Sequence, residues 1–85
     1  MNKLLIAAVF ALAPLTAIAM PAVGDMVGKD PAQATASLEK AGCLNPDFEA
    51  EDGHIEAKCH DAGMKRWEVY IDPRTGKVAK VKAND

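Results

Sequence analysis

The sequence predicts an α+β domain: one N-terminal helix packed on a three- to four-stranded antiparallel sheet, in the order α-β-β-β(-β). Three observations carry this. Helix start and stop signals bracket residues 31–41. From Cys43 on the apolar spacing shortens to two, with turn signals between the alternating runs. The 85 residues leave room for one small domain and exclude a multidomain protein or a large enzyme with a deep cleft.

The chain opens with a segment unlike the rest. Residues 1–19 hold 15 of the 42 apolar residues and one charge, Lys3. A positive start, an apolar run from Leu4 to Leu15 and the small pair Ala17-x-Ala19 define a secretory signal peptide, with cleavage between Ala19 and Met20. The apolar run is shorter than the roughly 20 residues of a membrane-spanning helix, so no stable anchor is expected after cleavage. No Cys follows the leader closely, which argues against lipid attachment. The expected address is a bacterial periplasm or the exterior, both oxidising. Residues 20–85 carry 9 Lys/Arg against 12 Asp/Glu. That acidic balance argues against binding nucleic acid through its phosphates.

Residues 20–29 have no clear period and contain Pro21, Gly24 and Gly28, so they read as a loose N-terminal arm that Met26 and Val27 could pin down. The domain proper is expected over 30–85. Asp30 can cap the first free amides, Pro31 suits the first helical position and Gln33 can reach back as in a capping box. Ala34, Leu38 and Ala41 share one face, and Gly42 supplies the left-handed stop. This apolar face is narrow, so the helix needs a sheet to lie on.

Phe48 and Ala50 then alternate with Asp47, Glu49 and Glu51. Asp52-Gly53 is a hairpin turn signal. Ile55, Ala57 and Cys59 alternate with His54, Glu56, Lys58 and His60, and a three-residue turn follows at Asp61-Ala62-Gly63. Trp67, Val69 and Ile71 alternate with Arg66, Glu68, Tyr70 and Asp72. Asp72-Pro73-Arg74-Thr75-Gly76 is another turn. Residues 77–82 read as a short edge strand in which Val78 and Val81 are out of phase. Its interleaved lysines guard against unwanted pairing. The face expected under the helix carries Phe48, Ala50, Ile55, Ala57, Trp67, Val69 and Ile71; the other face is polar. Pro46 is expected to interrupt pairing, so that the first strand starts near Asp47.

Two cysteines in an oxidising space default to a disulfide, here Cys43 to Cys59. Antiparallel strands bring the two together. The alternatives are free thiols, or a small metal or redox protein using Cys43, Cys59 and the histidines. Against the last stand the missing Cys-x-x-Cys spacing and the missing two-residue pairs of zinc sites.

The segment from Trp67 through Asp72-Pro73-Arg74-Thr75-Gly76 to Val78 resembles the closing hairpin of the PepSY domain, an aromatic-rich strand, Asp-Pro-x-Thr-Gly and a short Val-containing strand. The helix ending at Gly42, the strand, Asp52-Gly53 and the next strand are similar in order. The resemblance covers about residues 30–82. It implies a secreted or periplasmic binding or inhibitory module related to protease propeptides, with no catalytic residues and no cofactor to carry over. Cys43 and Cys59 depart from that pattern.

No catalytic motif is present. Thr35 and Ser37 are ordinary helix residues with no supporting histidine. His54 and His60 lie six residues apart on one strand, roughly 20 Å by strand rise, too far to share a metal. Asp47, Glu49, Glu51 and Asp52 could attract a hard cation but lack a calcium-loop pattern. Trp67 and Phe48 read as core. Tyr70 falls on the polar side near Arg66, Glu68 and Lys80, and this group is the candidate contact for an unidentified protein partner, a protease or envelope protein.

Overall fold

The structure, a computed structural model, describes residues 20–84. The signal peptide expected over residues 1–19 lies outside them. Helix α1 (Pro31–Lys40) precedes β1 (Leu44–Glu51), β2 (His54–His60), β3 (Arg66–Ile71) and β4 (Val78–Ala83). The strands form one antiparallel sheet in chain order, as expected where every connection is short.

Asp30 caps α1: its Oδ1 accepts the Gln33 amide at 2.9 Å. The Gln33 side chain lies against Gly28. At the other end Gly42 takes φ +101, its amide donates to Glu39 O, and the Cys43 amide donates to Leu38 O. This stop turns the chain directly into β1. Ala34 and Leu38 are buried, as their spacing predicts.

Strand β1 begins at Leu44, earlier than expected. Pairing slips between Leu44 and Asp47, where Pro46 supplies no amide and Asn45 has φ +51. The Asp52-Gly53 hairpin sets Glu51 opposite His54 and Glu49 opposite Glu56. The next connection differs from its sequence signal. Met64, not Gly63, takes the left-handed conformation, at φ +69. Asp61 makes this possible, since its Oδ1 accepts the amides of both Gly63 and Lys65. In the last hairpin the pairing passes from Tyr70–Lys80 to Ile71–Val78, leaving one extra residue in β4. That bulge resolves the phase problem: Val78 is 2% exposed and Val81 packs on the core.

The core holds Val27, Ala34, Leu38, Cys43, Ala57, Cys59, Val69, Ile71 and Val78. Three positions differ from expectation. Ala50 is exposed, because it lies at the hairpin end of β1, opposite the half-buried Ile55 and two residues beyond the half-buried Phe48. Phe48 and Trp67 are half-buried rim residues packed against the core. Trp67 stays at the edge because its indole N–H donates to Asp61 Oδ2 at 3.0 Å, which holds the ring beside the turn.

The arm is not loose. Val27 and Gly28 amides donate to Gly76 O, Gly24 N–H donates to Val78 O, and Val78 N–H donates to Asp25 O, all within 3.1 Å. Met26 bridges Lys77 in antiparallel fashion. Val27 is buried, whereas Met26 is 58% exposed. Met20 reaches back to the disulfide, its Sδ 3.9 Å from Cys59 Sγ. Residues 20–29 therefore act as a strap on the sheet edge. A core this thin needs the extra cover.

Candidate functional site

The cysteines form a disulfide with Cα atoms 5.3 Å apart, and no described cysteine is free. Cys43 lies beside the Leu44–His60 pair, so the bridge closes the β1–β2 hairpin at the end opposite its turn. With both sulfurs in that bond, a metal site built on Cys43, Cys59 and the histidines has no thiolate ligand in this form.

The four candidate contact residues lie on the polar face of β3 and β4, and three of them come together. Tyr70 pairs across the sheet with Glu56 on one side and Lys80 on the other. Glu68 pairs with Lys58 and Lys82. The Tyr70 hydroxyl donates to Glu68 Oε1 at 3.2 Å, and Lys80 Nζ sits 5.3 Å from the centre of the Tyr70 ring. His54 packs against that ring as well, with centroids 4.7 Å apart. Arg66 is exposed and paired with His60 at the far end of β3; no hydrogen bond or ion pair links its side chain to the other three among the described residues.

Glu56 and Glu68 are 6% and 9% exposed on a face that the alternation makes polar. The long side chains of neighbouring strands cover them. The Tyr70 hydroxyl lies among these carboxylates. The Glu56 carboxylate beside it, then loss of water, then Glu68, all favour keeping the phenol proton, and its pKa is pushed up to about 12. Lys82 Nζ lies 3.9 Å from Glu68 and Lys58 Nζ lies 3.5 Å from Glu49. Glu49 holds the Lys58 ammonium above its usual pKa.

Sequence reasoning places Glu56 on the polar face but misses it as part of this group. The Asp52-Gly53 turn fixes Glu56 opposite Glu49, so half of the signal was available. Its pairing with Tyr70 depends on the five-residue connection 61–65, whose geometry the sequence does not declare. The acidic run is likewise rearranged. Glu49 and Glu51 come together with Glu56, their carboxylate oxygens all within 4.8 Å, rather than with Asp47 and Asp52. Lys58 partly balances this cluster through Glu49.

On the opposite face a shallow apolar pocket of about 190 Å³ opens between the start of α1 and the sheet. Pro31, Ala34, Phe48, Ile55 and Ile71 line it, with Lys29 at its rim. Neither surface brings together an acid, a base and a nucleophile of the kind covalent catalysis uses. Among the described residues no helix is long and apolar enough to cross a membrane.

The family model PepSY_2, described as peptidase propeptide and YPEB domain, matches residues 3–82. No curated protein and no solved structure matches the chain.

Proposed function

The chain belongs to the PepSY_2 family of peptidase propeptide and YPEB domains, and from that premise we propose that it is a small exported, non-enzymatic module that binds and regulates another protein, a protease or an envelope enzyme. The family match carries the reading, because propeptide-type domains act on a peptidase by contact. The buried disulfide supports an oxidising address, and cleavage between Ala19 and Met20 would release the domain into the periplasm or the medium. The group of Tyr70, Glu68 and Lys80, with Arg66 further along the same face, supplies amphipathic and charged contacts of the kind that interfaces use. The protein would need no cofactor and no nucleic acid.

Chemical crosslinking in the native envelope, followed by mass spectrometry, tests this. The expected outcome is a specific protein partner whose crosslinks map to the polar sheet face or a sheet edge and weaken with Tyr70→Ala. Crosslinks no different from those of an unrelated exported domain of the same size would refute it.

A further inference from the structure

We propose that the outer edge of β4, over residues 79–83, is a docking strip for an acidic, extended segment of the partner protein, which adds to the sheet as a further strand. This rests on the binding-module reading and specifies the chemistry of the partner.

The backbone of β4 is available there. The Asn84 amide donates to Arg66 O at 2.9 Å. Antiparallel alternation then directs the main-chain groups of Lys82 and Lys80 toward β3 and those of Val81 and Ala83 outward. Among the described residues no chain pairs with that outer side beyond Val78. The molecule already uses the first part of the same edge in this way. The strap lies antiparallel to it, exchanging Gly24 N–H to Val78 O and Val78 N–H to Asp25 O; upstream of Gly24 its described residues make no further pair with β4, Pro21 being buried and Met20 lying beside Cys59. An incoming segment would continue the ladder from the strap, as in other cases of strand addition.

The side chains select the charge. Lys77, Lys80 and Lys82 are exposed, and residues 77–84 contain no acid. Lys77 and Lys80 have no ion-pair partner among the described residues, and Lys82 has only the 3.9 Å contact to Glu68. A basic strip on a chain that is acidic as a whole is a local preference rather than an average. Lysines on an edge repel basic strands and tolerate apolar ones poorly. They admit a strand with carboxylates two residues apart, which would meet Lys80 and Lys82 on one face.

A second copy of this chain is the poorer occupant. Its own acidic strand, β1, offers Asp47, Glu49 and Glu51, but Glu49 is already paired with Lys58. Pro46 and the irregular pairing after Leu44 break the ladder at the start of that edge.

The test uses the oxidised full chain, labelled with nitrogen-15, and a short blocked peptide of alternating glutamate and valine. A peptide with lysine in place of glutamate is the control. The acidic peptide should saturate shifts centred on the Val81 and Ala83 amides and slow their exchange. Lys80→Glu/Lys82→Glu should weaken it about tenfold, with the spectrum elsewhere unchanged. Equal binding of the lysine peptide, shifts centred elsewhere, or no binding would overturn the strip. So would concentration-dependent self-association that competes with the peptide, because the occupant would then be a second copy. The envelope crosslinking decides the module reading separately. A partner that still crosslinks to the Lys80→Glu/Lys82→Glu variant keeps that reading and removes the strip.

Discussion

Replacing Cys43 and Cys59 together by alanine should destabilise the domain by about 3 kcal/mol. The bridge joins residues separated by 16 positions. In the chain-entropy relation, opening a loop of that length returns roughly 10 cal/mol/K to the unfolded chain, or about 3 kcal/mol at 25 °C. The structure gives no reason to discount this for native strain in the backbone, since the 5.3 Å Cα separation is ordinary for a disulfide. Cys43 is 0% exposed and Cys59 7%, so the serine pair should be worse than the alanine pair, having hydroxyls in buried places. For a domain of this size each kcal/mol moves Tm by ~4–8 °C, so the alanine pair should melt roughly 12–24 °C lower. Thermal melts followed by far-UV circular dichroism measure this directly. Wild type with the bridge reduced should fall toward the variant, and the untreated protein should titrate no free thiol. A drop of less than about 4 °C for the alanine pair, with reduced wild type equally unaffected, would refute the reasoning: core and strap alone would then hold the fold.

Three further outcomes follow from individual residues. Gly76 has φ +77, and a Cβ there would lie 3.0 Å from the Gly28 carbonyl carbon, whereas Gly53 has φ +74 and open space around it. In urea denaturation Gly76→Ala should therefore cost more than the ~1–2 kcal/mol of the backbone conformation alone, and more than Gly53→Ala; equal losses would show that the strap contact contributes nothing. Asp61 accepts hydrogen bonds from the Trp67 indole and then from the Lys65 and Gly63 amides, which lower its pKa. Its contribution is present above the ordinary carboxylate value and is lost as pH falls through the lowered value. The stability gap between wild type and Asp61→Ala, followed by Trp67 fluorescence, should thus narrow only in acid; a gap independent of pH would contradict the Asp61 charge. Tyr70 is the chain's one tyrosine, so its ionisation can be read from ultraviolet absorbance. It should titrate near 12 in the folded protein, against its ordinary value of 10.0. A raised value means stability present below about 10 and lost as pH rises toward about 12. Tyr70→Phe should lose less stability over that range, and a folded midpoint at the ordinary value would remove the Glu56 contact.

The periodic features were legible because each is local. The Asp30 cap, the Gly42 stop, the Asp52-Gly53 turn and the two-residue alternation of β2 and β3 are determined by neighbours in the chain, and each appears where the sequence puts it. The cysteine pair was legible too, since antiparallel strands joined by a tight turn bring their far ends together. The amphipathic alternation placed Tyr70, Glu68 and Lys80 on one face.

Tertiary structure decided what depends on register, bulges and cover. Residues 20–29 have no period of their own, so nothing local announces that they strap β4 through Gly76 and Val78. The bulge that brings both Val78 and Val81 inward arises from pairing with β3. Glu56 joins Tyr70 because the 61–65 connection, organised by Asp61, fixes which residues face each other across the sheet. Ala50 was expected inside and lies outside, because a strand's alternation says which side a residue faces but not how far the covering layer extends. Sequence alone therefore determined the elements, their order and the crosslink. Packing between distant segments determined which charges are buried and which edge is left open, because those are properties of neighbours that the chain brings together only when it folds.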